Sequence, residues 1–146
     1  MSSDEQLPFF VYGTLRCGEV NHFLLEGKTL SQQPAYADGL HLYSLGWYPL
    51  VLTASEGYNR VIGEVMTIKP ELYDHTVQIL DQLEAYFPAD PAKSDYLRVP
   101  YPVTLQTGEP VRAWIYLGKA RNLVGWHRRI PDGDWVAYRL GQAKGK

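Results

Sequence analysis

The chain has little with which to staple itself or to anchor itself elsewhere. It has one cysteine, Cys17, in 146 residues, so no intramolecular disulfide can form, which fits a reducing compartment. It has no excess of basic residues. The 14 Lys and Arg are set against 16 Asp and Glu, which argues against a generic nucleic-acid binder and the basic footprint such a protein carries. No apolar run approaches the roughly 18 residues of a membrane span. The start, Met1-Ser2-Ser3-Asp4-Glu5-Gln6, is acidic and polar, unlike a secretory leader. Repeats and low-complexity tracts are missing too. Aromatics, by contrast, are plentiful. The 11 tyrosines suit strands and half-buried clefts alike. At this length one domain, 1–146, is expected, with residues 1–6 and 141–146 as solvated tails and a cytoplasmic location by default. Nothing in the residues fixes an oligomeric state.

Punctuation along the chain gives the elements. Leu7 to Tyr12 reads as a buried strand ending in the turn Gly13-Thr14. Residues 19–26 suggest one or two helical turns, with Val20, Phe23 and Leu24 on one side. Tyr36 to Leu45 alternates loosely until Gly46-Trp47-Tyr48-Pro49 breaks it. Val61 to Ile68 is a stronger strand, and its interior Gly63 suggests a bulge or a close backbone approach. Pro70 to Phe87 reads as the main helix, with Pro70 in the first turn and Glu71 and Asp74 near the positive end. Tyr96 to Leu105 and Pro110 to Gly118 form a hairpin through Gln106-Thr107-Gly108-Glu109, and Pro100 and Pro102 mark the first as an edge or bulged strand. The tail to Leu140 holds Trp126, Trp135 and the turn Pro131-Asp132-Gly133-Asp134. These elements make an α+β fold: a small mixed or antiparallel sheet, curled toward a barrel, with one main helix and short flanking helices.

Two places could carry chemistry. On a helical wheel centred on Leu80, Leu72, Thr76, Ile79, Leu83 and Phe87 lie on one side, and Tyr73 and Val77 on the other. Glu71, Asp74, Gln78, Asp81 and Gln82 fill the far face. Glu84 does not join them: at roughly +40° it sits at the stripe's edge, in the last turn. Desolvation and the negative helix end both push a carboxyl upward, toward the range where protons move in both directions. The competing reading is a carboxylate that reaches water or pairs with Arg98. The second place is Tyr12-Gly13-Thr14-Leu15-Arg16. Such a turn can be ordinary, or it can point successive N–H groups at one anion, with glycine allowing a tight or left-handed backbone. It is no Walker loop, because Glu19-Val20 follow Gly18. His22, His41, His75 and His127 lack ligand spacing, so no metal is expected. Arg16 could lower the Cys17 pKa, but an inert thiol is the simpler reading. Arg121, His127, Arg128 and Arg129 read as a solvated or interface surface, with phosphate binding as the alternative.

Val11-Tyr12-Gly13-Thr14-Leu15-Arg16 together with Leu80-Asp81-Gln82-Leu83-Glu84-Ala85-Tyr86 resembles the gamma-glutamylcyclotransferase-like family. Gly39 to Tyr43, Tyr48-Pro49, Val61 to Val65, Tyr96 to Val99, Ala113 to Tyr116 and Ile130 to Trp135 are similar to its further segments in matching order. The chain departs at Ala85, where the family usually has Gly and where Ala fits a helix better, and in a longer 87–95 stretch. The resemblance implies a pocket where the 12–15 turn meets the helix carrying Glu84. In it, backbone N–H groups around Tyr12, Gly13, Thr14 and Leu15 hold the α-carboxylate of a small γ-glutamyl substrate. Glu84 is the acid/base, and Tyr116 hydrogen-bonds Glu84 or the substrate if it faces the pocket. The implied reaction is attack of the substrate's α-amine on its own γ-carbonyl, releasing 5-oxoproline and an amine without metal or cofactor. Removal of a γ-glutamyl cap from a specialised metabolite and a non-catalytic binding module remain as alternatives.

Overall fold

The computed structural model describes residues 6–57, 59–125 and 127–144. Eight strands run in the order β1 (Phe9–Val11), β2 (Thr29–Asp38), β3 (Leu40–Ser44), β4 (Pro49–Thr53), β5 (Arg60–Ile68), β6 (Tyr96–Leu105), β7 (Pro110–Gly118) and β8 (Arg128–Ile130). Helix α1 (Tyr73–Leu83) lies between β5 and β6, and helix α2 (Trp135–Lys144) closes the described chain. Five strands form a closed barrel in the order β1-β5-β2-β6-β7, and β4-β3-β8 make a second sheet. All pairings are antiparallel except one. The barrel closes where β1 meets β7 in parallel, with Phe9 opposite Trp114 and Trp114 N–H donating to the Pro8 carbonyl at 2.8 Å.

Local sequence explains most of this. In β5 Val61, Gly63 and Val65 are buried at every second position, as a half-buried strand requires, and Met66 and Ile68 continue the alternation one residue out of phase. Gly63 marks a close approach: a Cβ there would lie 2.3 Å from the Val11 carbonyl oxygen. The β6–β7 hairpin turns at residues 106–109, with Gly108 at φ 99°. Pro100 and Pro102 face β7 alone, since β2 pairs with β6 only at Thr104 and Leu105. The missing proline N–H groups therefore cost no ladder bond on the other side. Two packed clusters fill the interior, one around Phe10, Val61 and Ile115 and one around Phe9, Met66 and Leu80.

Four expectations need correction. The helix expected over 70–87 is a 3-10 turn at Pro70–Leu72 followed by α1, which stops at Leu83. Residues 19–26 hold only a 3-10 turn, His22–Leu25. Its buried residue is Leu25, while Val20 and Phe23 face outward. Strand β2 begins seven residues before Tyr36. Its polar, proline-containing sequence buries only Ala35 and Ala37, yet it pairs with β5 from Thr29 to Asp38. The ladder, not its own hydrophobicity, makes it a strand. Residues 141–144, expected as tail, belong to α2, which starts after Asp134 accepts the Ala137 N–H at 3.2 Å, an N-cap. The expectations for Trp126 and for the tail residues 1–5 and 145–146 fall outside the described residues. No helix among the described residues is long and apolar enough to cross a membrane.

Candidate active site

Tyr12, Gly13, Thr14, Leu15, Glu84 and Tyr116, the residues singled out from sequence, line one cavity of about 420 Å³. A cavity of that size suits a small organic ligand.

One wall is the loop after β1. Gly13 is required there by packing. Its φ is not left-handed, contrary to one expectation, but a Cβ on it would sit 2.4 Å from Pro49 Cγ. The loop folds on itself: Arg16 N–H donates to the Gly13 carbonyl at 3.0 Å and Asn21 N–H to the Thr14 carbonyl at 2.9 Å. Asn21 Nδ2 donates to Thr14 Oγ1 at 3.0 Å. Among the described residues none accepts a hydrogen bond from the N–H groups of Gly13, Thr14 or Leu15. Three consecutive unpaired donors at a cavity wall are the material of an anion nest.

The facing wall is the end of α1. Glu84 is the C-cap residue. Tyr86 N–H donates to the Asp81 carbonyl at 2.9 Å and Ala85 N–H to the Gln82 carbonyl at 3.2 Å, the paired bonds of a Schellman turn. That turn needs a left-handed residue, and Ala85 supplies it at φ 52°. Here the expectation that Ala suits a helix better is overturned, because position 85 lies past the helix in a conformation that favours Gly. The Glu84 carboxyl takes part in no hydrogen bond or ion pair among the described residues. Burial and then the neighbouring Asp81 charge push it up to about 7.

Arg98 does not pair with Glu84. It grips Asp81 with two teeth, Nε to Oδ1 at 2.8 Å and Nη2 to Oδ2 at 3.2 Å, and lies 4.5 Å above the Trp114 ring. Tyr116 hydroxyl also donates to Asp81 Oδ1, at 2.7 Å, rather than to Glu84. Tyr12 hydroxyl donates to the Tyr116 carbonyl at 2.6 Å, and Tyr96 hydroxyl to the Pro49 carbonyl at 2.8 Å. Burial holds all three phenols well above the ordinary tyrosine range, so they stay protonated and brace the wall. Asp81 and Tyr96 are not among the residues the sequence points to, and Arg98 is offered by it only as a partner for Glu84. Asp81 had been placed on the far helix face, yet it is buried with Tyr73, Thr76 and Leu80. Those residues centre the buried face near the bearing of Glu84 itself. A carboxylate one step off an apolar stripe, with an arginine on the next strand, was the available signal.

The remaining candidates lie elsewhere. Cys17 is exposed, and burial and then Glu64 push its thiol up. Arg16 does not lower it, because its guanidinium is bonded to Glu64 at 3.1 Å and Asp134 at 2.9 Å. Among the described residues no three His, Cys, Asp or Glu side chains cluster as metal ligands would. Arg121 donates to the Ala92 carbonyl at 2.8 Å, away from the cavity lining.

Comparison with known proteins gives a concordant result. The model of the family "Gamma-glutamyl cyclotransferase, AIG2-like" matches residues 9–137. A protein of Vibrio cholerae serotype O1, described as "Putative gamma-glutamylcyclotransferase", is 36% identical over 130 residues, covering 86% of this chain and 92% of its own. The gamma-L-glutamyl-butirosin B gamma-glutamyl cyclotransferase of Niallia circulans is 29% identical over 136 residues, covering 93% of this chain and 80% of its own. The crystal structure of an uncharacterised Pyrococcus horikoshii protein superposes with a TM-score of 0.63 at 23% identity, covering 94% of this chain and 97% of its own. At that identity it speaks to the fold alone.

Proposed function

The chain belongs to the gamma-glutamyl cyclotransferase, AIG2-like family and is an enzyme of the cyclotransferase class, and from that premise we propose that it converts a γ-glutamyl amide into 5-oxoproline and a free amine with Glu84 as the acid/base. One observation carries the reading. A carboxyl without a protein partner, poised at about 7, shares a cavity with three unpaired backbone N–H groups.

The N–H groups of Gly13, Thr14 and Leu15 take the α-carboxylate of the glutamyl unit. Fixing that carboxylate fixes the adjacent α-amine beside Glu84. Ionised Glu84 removes a proton from the α-ammonium, and the freed nitrogen attacks the γ-carbonyl carbon. The new C–N bond closes the five-membered lactam and the old amide C–N bond breaks. Protonated Glu84 passes its proton to the departing nitrogen, and the regenerated carboxylate then takes the second proton from the ring nitrogen and hands it to the released amine, which leaves as an ammonium, so both protons are accounted for and no water is consumed. Nucleophile and electrophile belong to one molecule, so holding the folded-back pose supplies much of the barrier reduction, up to about 7–11 kcal/mol. A positioned acid/base adds about 10²–10⁴-fold. Asp81, Arg98 and Tyr116 act behind Glu84: the first raises its pKa, and the other two hold the first in place.

The cavity also bears on the departing amine. Val20, Trp47, Tyr48 and Leu83 line it and all are exposed, Trp47 by 90%. Its charged lining side chains among the described residues are Glu84 and Asp95, with no Lys, Arg or His. An amine half without a carboxylate fits such a wall, because a second anion would meet two acids and no cation.

The test is a panel of γ-glutamyl dipeptides, γ-glutamyl-ε-lysine and γ-glutamyl polyamines incubated with the protein and scored for 5-oxoproline. Release from at least one compound is expected. No 5-oxoproline from any of them would sink the reading.

A further inference from the structure

Two parts of the sequence have no place in that chemistry: Arg16, directly after the cavity loop, and the tail around Asp134-Trp135. The structure brings them together. Arg16 Nη1 bonds Asp134 Oδ1 at 2.9 Å while its Nε bonds Glu64 Oε2 on β5 at 3.1 Å. Glu64 Oε1 also accepts the Cys17 N–H at 2.9 Å. Three residues later Glu19, whose side chain is only 3% exposed, accepts Trp135 Nε1 at 3.2 Å and both Nε and Nη2 of Arg139 at 2.8 and 2.6 Å. Trp135 and Arg139 are one turn apart on α2 and so present one face.

We propose that α2 is a positioning clamp for the cavity loop, with Arg16, Glu19 and Arg139 as the positioning residues. Resting on the functional reading above, it assigns the C-terminal helix to substrate recognition without contact with the substrate. The backbone hydrogen bonds of the loop from Gly13 to Asn21 are local turns, and its three consecutive N–H groups without an acceptor among the described residues do not hold one another in place. Bonds within the loop fix its curvature, and Gly13 against Pro49 and the buried Leu15 seat its first residues. The charged links hold the rest, tying Arg16 to β5 and to the N-cap of α2, and Glu19 to the first turns of α2. Charge-assisted, two-toothed bonds hold direction as well as distance. Glu19 is a buried carboxylate that the catalytic steps do not use, and its partners come from about 120 residues away in sequence.

The test is steady-state kinetics on the full-length chain with Arg139→Ala, Arg139→Lys and Glu19→Gln, beside wild type. Arg139 is half exposed, so its truncation should leave the core intact. Loosening the nest weakens substrate and transition state alike, so KM should rise about tenfold while kcat stays within about threefold. Lys at 139 should recover part of that loss, and the pH dependence of kcat set by Glu84 should stay in place. A merely structural helix predicts the opposite split, a smaller active fraction with lower apparent kcat and unchanged KM, and that result would overturn the clamp. If Arg139→Ala fails to fold, Glu19→Gln, which keeps one oxygen acceptor, replaces the other with an NH2 group and loses the charge, is read by the same criterion. An inactive wild type overturns the functional reading instead, so the two failures are distinct.

Discussion

Asp81 and Glu84 lie three residues apart at the end of α1, and Arg98 neutralises only the first. Asp81 has two bonds from Arg98 and one from Tyr116, whereas Glu84 has only cavity before it. One carboxyl is thereby satisfied by a cation and a phenol, and the other faces the cavity and is raised toward neutrality.

Glu84→Gln separates the chemistry from the fold. Lactam formation should drop about 10²–10⁴-fold while circular dichroism stays unchanged. Stability should move the other way. The carboxyl sits at about 7, above its ordinary 4.5. Between those values the native state holds a proton that the unfolded chain has released, so native stability falls as pH rises through that window. Gln has no such cost. Glu84→Gln should therefore melt higher than wild type at pH 8, and the gap should close toward pH 4.5. A lower melting temperature than wild type at pH 8 would contradict a half-buried carboxyl without a partner among the described residues.

Removing the neutralising cation should act on Glu84 through Asp81. Arg98→Met strands Asp81 beside Glu84, and losing one partner of a mostly buried pair costs about 3–5 kcal/mol. It should also make Glu84 harder to ionise, because Asp81 already raises it. The rising limb of kcat/KM, set near pH 7 in wild type, should move to higher pH. Adding Asp81→Asn should return it to or below the wild-type position and recover stability, while Asn keeps an oxygen for Tyr116. A limb that stays put in Arg98→Met would mean that Asp81 does not tune the base.

How much of this could be read from the chain depended on whether the signal was local. Gly13 and Glu84 were found because each breaks a pattern: a glycine closing an apolar strand, and an acid on an apolar stripe. The reason for Gly13 was hidden, because Pro49 arrives from another strand. A wheel drawn on one helix places Asp81 in water, because the arginine that makes its burial tolerable lies 17 residues away on another element. Strand β2 is legible only from Tyr36, its last three residues, for the same reason. The stretch from Thr29 to Ala35 takes its extended form from β5. Helix α2 starts in a stretch that reads only as a tail after a turn, and Asp134 caps its first turn.

Position 85 offers a test of the turn that aims Glu84. A left-handed alanine costs about 1–2 kcal/mol that glycine avoids, offset in part by the greater freedom of glycine when unfolded, about 0.5–1 kcal/mol. Ala85→Gly should therefore stabilise by up to about 1 kcal/mol, seen as a melting temperature raised by about 1–4 °C. The Schellman bonds should persist, so kcat should change less than about twofold. Destabilisation would mean that residue 85 does not adopt the left-handed form in solution.

The composition of the cavity wall predicts which amine is released. γ-Glutamyl-phenylalanine and γ-glutamyl-phenethylamine differ by one carboxylate, so comparing them isolates its effect from that of size or hydrophobicity. The aromatic ring of either can rest on the apolar rim of Val20, Trp47, Tyr48 and Leu83. The extra carboxylate of the dipeptide meets Asp95 and Glu84 with no Lys, Arg or His on the lining among the described residues. Repulsion from the exposed Asp95 adds to that from the half-buried Glu84, and about 1.4 kcal/mol suffices for a tenfold difference. The phenethylamide should therefore show a kcat/KM at least tenfold higher, with the gap shrinking in Asp95→Lys, where the rim gains a cation. Asp95 is suited to this exchange because its recorded bonds run through its backbone, N–H to the Ala85 carbonyl and carbonyl from Asn122, and survive a change of side chain. Equal kcat/KM for the two compounds in wild type would refute selection against the carboxylate while leaving lactam formation itself in place.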